Sequence, residues 1–208
     1  MFGLTEKELL LFTRLGTPSY IQDYLNRIPF NFEKGGDTHY SPRMVIKKKR
    51  AHCIEGALFA AAALWVSGEP PLLMDMKSAR GDDDHVIALY KRNGYWGAIS
   101  KTNHVVLRFR DPVYKTPREL ALSYFHEWFM NKNGKKTLRS YSRPVNMKQF
   151  GIVWVTAEKP LFWLDRKLNA VPHFPIALSE NVKRLRRADP IERVAGDITE
   201  WKRDGSRT

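Results

Sequence analysis

The segment from Ala57 to Leu64 constrains this fold more than any other part of the chain, because it is apolar on every face. It follows His52 and reads Ala-Leu-Phe-Ala-Ala-Ala-Ala-Leu, a run of mostly good helix formers that ends before Ser67. A helix with so little polar surface is buried at the centre of a domain. Its apolar stretch, Ala57 to Val66, is too short to cross a bilayer. We therefore predict a domain built around one central helix, from about His52 to Val66.

Three shorter helices are predicted before the central one, from capping residues and from apolar positions at helical spacing. Thr5 and Glu8 form a capping-box pattern, and Ser41 is followed by a proline at the first helical position. The three segments run from Thr5 to Gly16, from Thr17 to Pro29 and from Pro42 to Lys48.

Strands are predicted after the central helix. Asn93-Gly94 is a strong signal for a two-residue hairpin turn between two of them. The strand segments are Leu72 to Met76, His85 to Tyr90, Tyr95 to Ser100 and Val105 to Phe109. Helices followed by hairpin-linked strands indicate an α+β fold with an antiparallel sheet packed on the central helix.

The pattern weakens towards the C-terminus. A helix is predicted from Pro117 to Phe129 and a strand from Gly151 to Thr156, whereas Leu161 to Leu168 fits either type. From Leu178 onwards the chain is charged, with apolar residues at loosely helical spacing. We predict one domain over residues 1–208, with a core at about 17–129 and a C-terminal extension, 130–208, packing on or near that core.

The chain is strongly basic, with 35 Lys and Arg against 22 Asp and Glu and a formal charge of +13. Such an excess favours acidic partners: an acidic peptide or protein, nucleic acid or an anionic surface. Nucleic acid follows from the net charge alone, because no nucleic-acid-binding motif is present. Basic runs at 47–50, 132–136 and 183–187 are either anion-binding patches or ordinary solvated surface.

Several functional classes lack sequence support. The single cysteine excludes an internal disulfide and makes structural zinc improbable, and no histidine or carboxylate spacing indicates another metal. No glycine-rich phosphate or dinucleotide loop is present, so we expect no cofactor. Without a leader-like N-terminus or a membrane-spanning segment, a cytoplasmic protein without membrane contact is the default expectation.

Cys53 is placed at or within one turn of the start of the buried helix. Unpaired N–H groups and the positive end of the helix dipole stabilise a thiolate there, and Lys49 and Arg50 just upstream would lower the thiol pKa further. These conditions suit a nucleophilic cysteine. The alternative is a buried, unreactive cysteine, since this residue type is often buried.

His85 begins a strand directly after three aspartates, so its ring can stand at the edge of the sheet. A two-residue turn at Asn93-Gly94 would pair Arg92 with Tyr95 and bring Ser100 and Thr102 to the same face as His85. A catalytic thiol needs such a base, and the base needs a third group that fixes its tautomer.

Other histidines are weaker candidates. His52 neighbours Cys53, but adjacent residues on a helix point about 100° apart, so it is not predicted as the base. His39 and Tyr40 precede the helix and could donate to an oxyanion or belong to an ordinary loop.

The succession of motifs resembles the transglutaminase-like superfamily, a papain-related group with a Cys-His-Asp triad. Residues 50–57, Arg-Ala-His-Cys-Ile-Glu-Gly-Ala, resemble its Gly-x-Cys-x-(Asp/Glu)-x-Ala motif, and residues 68–73 resemble its G-I-P-A-R link. Asp84-His85-Val86 and the strand 95–100 resemble its histidine motif and the strand that follows. The likeness spans roughly residues 17–115, and it implies Cys53 as nucleophile and His85 as base.

The chain departs from that family at one position, because Ser100 stands where the family has its aspartate. A serine can accept a hydrogen bond from the imidazole but supplies no charge. Either Ser100 or Asn103, just past the strand end, would then orient His85, or the triad is degraded. Asn103 would act as an asparagine does in papain.

Three functional hypotheses follow. The first is a thiol enzyme that hydrolyses or transfers a peptide, amide or related acyl group through Cys53 and His85, on a peptide or protein substrate whose acidity the basic surface favours. The second is a binding module of the same fold with lapsed catalysis, for nucleic acid or an acidic protein. The third is a structural domain with an inert cysteine.

Overall fold

The computed structural model describes residues 2–208, and Met1 lies outside the described residues. The α-helices are Glu6–Leu15 (α1), Pro18–Arg27 (α2), Pro42–Lys48 (α3), Cys53–Val66 (α4), Pro117–Ser123 (α5), Val153–Thr156 (α6), Phe162–Asn169 (α7), Ser179–Lys183 (α8) and Pro190–Gly196 (α9). The strands are Leu72–Ser78 (β1), His85–Arg92 (β2), Tyr95–Ile99 (β3), Arg110–Tyr114 (β4), Leu138–Ser142 (β5), Val145–Asn146 (β6) and His173–Pro175 (β7), and Met147–Phe150 is a short 3-10 helix.

The strands form one antiparallel sheet of seven strands in the order β4-β3-β2-β1-β5-β7. The short strand β6 pairs with the start of β1, and β5 pairs with its end. Residues beyond 130 therefore add three strands to the sheet formed by the earlier part of the chain. The predicted α+β class with an antiparallel sheet is confirmed.

Strand β2 separates two hydrophobic layers. Its side chains alternate: Val86, Ala88 and Tyr90 pack with α4, whereas Ile87 and Leu89 pack with the layer that contains Leu120, Tyr124 and Trp128. This alternation follows from the two-residue period of a strand. A sheet covered on both faces explains why residues 85–90 are continuously buried rather than alternating with exposed positions.

Helix α4 is the centre of the larger layer, as its sequence predicts. Its residues from Ile54 to Leu64 are all buried, and it contacts α1, α2, α3 and β2. The three preceding helices begin at the predicted caps, with Thr5, Thr17 and Ser41 each accepting a backbone N–H from the first turn.

The predicted hairpin is also confirmed. Asn93 and Gly94 have φ values of 48° and 87°, the positive values that a two-residue turn of this kind requires. Arg92 pairs with Tyr95, and the ladder continues in the predicted register to Ala88 and Ile99.

Three predicted elements are wrong. Residues 105–109 do not form a strand, because their backbone is paired elsewhere: Val105 N–H donates to the Ile198 carbonyl, and Leu107 N–H donates to Glu127. The sheet instead continues with β4, an edge strand that tolerates Pro112. Residues 153–156 form a helical turn rather than a strand, and α5 ends at Ser123 instead of Phe129.

None of the helices formed by residues 2–208 is both long enough and apolar enough to cross a membrane.

Candidate active site

Cys53 is the first residue of α4, and its side chain is half-buried. The preceding residue, His52, is the N-cap with extended backbone angles of φ −101° and ψ −169°. The first N–H groups of a helix have no partner within the helix, so those next to Cys53 can donate to an anion. The predicted position of the thiol, at the start of the buried helix, is confirmed.

His85, at the start of β2, is held by a hydrogen bond that sets its tautomer. Its Nε2 lies 2.8 Å from Ser100 Oγ, while the Ser100 hydroxyl donates to the Leu107 carbonyl at 2.6 Å. Since the hydroxyl proton is used on Leu107, Ser100 Oγ accepts from His85 Nε2–H. This leaves Nδ1 of His85 available to the Cys53 thiol, which lines the same cavity and whose pKa His85 lowers.

Two further residues fix this arrangement, and local sequence signals reveal neither role. The side-chain amide of Gln22, on α2, bonds both backbone groups of Ser100, at 2.8 Å to the carbonyl and 2.9 Å from the N–H. The ring of Trp128 meets His85 edge to face, with centroids 6.0 Å apart and planes at 89°. Nothing in the local sequence pairs these positions, because they are 78 and 43 residues from their partners.

A second histidine lies next to the thiol. His52 Nδ1 lies 3.9 Å from Cys53 Sγ, and His52 Nε2 lies 3.4 Å from Glu55 Oε1 and 3.3 Å from Glu33 Oε1. The separation of about 100° expected between neighbouring helical residues does not apply here, because His52 is the extended N-cap and its ring lies beside the thiol.

Glu55 is fully buried, and several hydrogen-bond donors hold its carboxylate beside His52. It accepts hydrogen bonds from the His52 and Tyr40 backbone N–H groups, from the Thr38 hydroxyl and from the Asn31 amide. Burial raises the pKa of this carboxyl, but His52 and these donors outweigh burial and hold the pKa well below its usual range. Glu55 is therefore an anion under His52.

These charges act on the cysteine. Burial raises the pKa of the Cys53 thiol, but hydrogen bonds and charge from His52 and His85 outweigh it and lower the pKa to about 5. Burial lowers the pKa of His52, yet Cys53 and Glu55 raise it well above its ordinary value. Lys49 and Arg50, predicted to lower the thiol pKa, are not among the groups that do so; both face a neighbouring cavity.

The thiol opens into a cavity of about 850 Å³. Its walls bring together Cys53, His85, His52 and Asn103 with the acidic loop 82–84 and the aromatic residues Phe30, Phe32, Trp128 and Phe129. A cavity of this size holds several residues of an extended chain or a small molecule. Neither His39 nor Tyr40 lines it.

Asn103 lies in the same cavity wall but makes different hydrogen bonds from those predicted. Its amide bonds both backbone groups of Trp201, at 3.0 Å to the carbonyl and 2.9 Å from the N–H. Of the two residues predicted to orient His85, Ser100 makes the hydrogen bond and Asn103 ties the C-terminal segment to the site.

Lys101 is a functional candidate that the sequence did not reveal. It is 1 % exposed, and its Nζ donates to the Leu25 and Ile28 carbonyls, each at 2.7 Å, at the end of α2. Burial lowers the pKa of this lysine to about 7. Its aliphatic chain packs against Gly56, one turn after Cys53.

Comparison of the sequence with protein-family models and with curated proteins finds no match. Among residues 2–208, no three His, Cys, Asp or Glu side chains are grouped so that they could hold a metal ion.

Proposed function

We propose that this protein is a transglutaminase-like thiol enzyme, which hydrolyses or transfers a peptide, amide or related acyl group through Cys53. The observation that carries the proposal is the half-buried thiol at the wall of a large cavity, with His52 Nδ1 3.9 Å away, His85 in the same wall and a pKa lowered to about 5 by both imidazoles. An inert core cysteine would have a raised pKa and no route to solvent.

In the proposed reaction, the Cys53 thiolate attacks the acyl carbon and its electron pair forms the thioester bond. The oxygen that becomes negative is stabilised by the unpaired N–H groups at the start of α4. His85 carries a proton on Nδ1 and gives it to the leaving amine as the carbon–nitrogen bond breaks. His85 then takes a proton from water or from an acceptor amine as that molecule attacks the thioester. The carbon–sulfur bond breaks, and its electron pair restores the thiolate.

The two histidines have different roles in this proposal. His52 is fixed as a cation by Glu55, so it stabilises the thiolate without exchanging its proton. His85 has the neutral hydroxyl of Ser100, and not a carboxylate, as the hydrogen-bond partner of its Nε2. We therefore assign proton transfer to His85 and charge stabilisation to His52.

The test is the pH dependence of iodoacetamide alkylation of the folded protein, in the wild type and in His85→Ala. The single cysteine makes the signal unambiguous. We expect half-maximal reactivity near pH 5 in the wild type and a higher midpoint in His85→Ala. A burst of nitrophenol from p-nitrophenyl acetate, absent in Cys53→Ala, would show the acyl-enzyme. A thiol that reacts slowly at every pH, whether or not His85 is present, would contradict the enzyme proposal.

Ser100 favours one alternative, a binding module with lapsed catalysis, because it supplies no charge behind His85. In that case the protein is retained on heparin or on an acidic peptide column in a salt-dependent manner, and no acyl-enzyme forms. A nitrophenol burst that depends on both Cys53 and His85 would exclude this alternative.

A further inference from the structure

A second cavity, of about 550 Å³, adjoins the one that contains Cys53. The two share the wall formed by residues 30–33, and Arg203 lines both. A ligand at the thiol can therefore extend into the second cavity along one continuous surface.

Five cationic side chains line this second cavity: Lys34, Lys48, Lys49, Arg50 and Arg203. All five are exposed, and none forms an ion pair or a side-chain hydrogen bond within residues 2–208. Their neighbour Lys47, outside the cavity, is instead paired with Glu158 at 2.7 Å. Cations gathered in a concave site without partners raise the local concentration of anions.

The carboxylates on the same wall offset this charge only in part. Glu33 accepts a hydrogen bond from the Thr38 backbone and lies 3.3 Å from His52, and Asp204 accepts from the backbone and hydroxyl of Ser206. Within residues 2–208, Asp37 is the one carboxylate of this lining that forms neither a hydrogen bond nor an ion pair through its side chain. The lining keeps an excess of free positive charge.

Local backbone structure fixes the cations at this wall. Helix α3 ends at Lys48, and its C-cap, Lys49, takes a left-handed conformation with φ 52°. Two backbone hydrogen bonds hold the residue after Arg50: Ala51 N–H donates to the Pro29 carbonyl, and Asn31 N–H donates to the Ala51 carbonyl. Residues 48–50 are thereby held beside residues 30–33, at the boundary between the two cavities.

The cavity chemistry favours a peptide over a nucleic acid. The aromatic rings on the shared wall, Phe30 and Phe32, pack edge to face on one another at 67°, so they offer no pair of parallel faces for stacked bases. The chemistry proposed for the adjoining thiol needs an acyl carbon, which peptides supply and nucleic acids do not. Acidic side chains along a peptide would meet the free cations.

We propose that the second cavity binds an acidic segment of a peptide or protein substrate, beside the acyl group that Cys53 attacks. The free cations of the cavity, with Arg203 between the two cavities, select this substrate by charge. The assignment of this ligand as substrate rests on the proposed thiol chemistry, whereas its binding does not.

Binding is tested on full-length Cys53→Ala protein with a fluorescein-labelled poly-glutamate peptide, followed by fluorescence anisotropy at low salt. The test variant is Lys48→Glu with Arg50→Glu, and Arg203→Glu is a second, independent variant. The control is Lys159→Glu with Lys167→Glu, which changes the net charge equally at exposed positions outside both cavities.

We expect the dissociation constant to rise about tenfold or more in Lys48→Glu/Arg50→Glu, to rise also in Arg203→Glu, and to change less than about twofold in the control. Equal weakening in the test and control variants would mean that net charge alone binds the peptide, and it would overturn the site. Absence of peptide binding to the parent protein would also overturn it. The site would also be overturned by a single-stranded oligonucleotide that binds more tightly than the peptide and loses affinity in the same variants. Because this assay contains no thiol, its outcome is separate from that of the alkylation experiment.

Discussion

At the scale of single residues, the two histidines beside Cys53 differ in what stands behind them. His52 is backed by the buried carboxylate of Glu55, and His85 by the hydroxyl of Ser100. In a Cys-His-Asp triad the negative charge lies behind the base. Here it lies behind the other imidazole, and Glu55 raises the pKa of His52 beside the thiol.

Replacing His52 tests this arrangement. In His52→Asn we expect the midpoint of the alkylation profile to move upward from about 5, by one pH unit or more, because the thiolate loses a hydrogen bond and a positive charge. The exposed His126→Asn is the matched control and should leave the midpoint in place. A midpoint that moves in His85→Ala but not in His52→Asn would show that His52 only caps the helix.

Lys101 gives the stability of the protein a predictable pH dependence. Its folded-state pKa of about 7 lies below the usual 10.5, so between these values the unfolded chain binds more protons and the free energy of unfolding rises with pH. We expect wild type, relative to Lys101→Met, to gain stability with a slope approaching about 1.4 kcal/mol per pH unit in this window. Guanidinium unfolding of both proteins between pH 7 and pH 10 measures it. A constant difference between them would contradict the buried, titrating lysine.

At the scale of elements, α4 approaches the segment after β3 because one of its residues has no side chain. A Cβ at Gly56 would lie 2.4 Å from Lys101 Cβ and 3.1 Å from Lys101 Cγ. Gly56 thus allows Lys101, the residue after Ser100, to pack directly on the first turn of α4.

The substitution Gly56→Ala tests this contact. An alanine in a helix interior is normally about 1 kcal/mol more stable than a glycine, but overpacking here costs about 1–3 kcal/mol. We expect a net loss of stability in guanidinium unfolding and a slower alkylation of Cys53.

A double-mutant cycle isolates the cause. In a Lys101→Gly background the clashing side chain is absent, so Gly56→Ala should cost less than in the wild type. An equal cost in both backgrounds would place the strain elsewhere in the helix.

At the scale of the whole molecule, the C-terminal segment completes the wall of the site. Asn103 bonds both backbone groups of Trp201, and Arg108 pairs with Glu200 at 2.9 Å. His104 forms a bridge with Thr199. These contacts join residues nearly 100 positions apart in the chain and hold Arg203 between the two cavities.

Asn103→Ala should release this segment locally. The variant loses two buried hydrogen bonds and leaves the Trp201 backbone unpaired. The free energy that keeps this segment closed falls by about 2 kcal/mol. We expect faster tryptic cleavage at Lys202 and Arg203, which are exposed, measured by mass spectrometry over time. Asn181→Ala, at an exposed position in α8, is the control. Cleavage at the wild-type rate in Asn103→Ala would show that other contacts hold the segment.

The sequence by itself determined the elements whose signals are local. Neighbouring residues alone specify the all-apolar α4, the capping residues of α1 to α3 and the Asn93-Gly94 turn. The register of β2 and β3 follows from the turn. The same local signals placed Cys53 at a helix start and His85 at a strand start. The resemblance to a transglutaminase-like enzyme rests on those positions and stays a prediction.

The tertiary structure decided three features that the residue pattern did not predict: the missing strand, the position of the His52 ring and the partner of His85. Residues 105–109 have strand-like composition, but their N–H groups donate to Glu127 and to Ile198, so competition for hydrogen bonds removed the strand. The ring of His52 turned towards the thiol because its extended N-cap backbone and buried Glu55 leave it that space. The selection of Ser100 over Asn103 beside His85 depended on Trp201, nearly 100 residues away. Contacts at such separations carry no local signal, so neighbouring residues could not predict them.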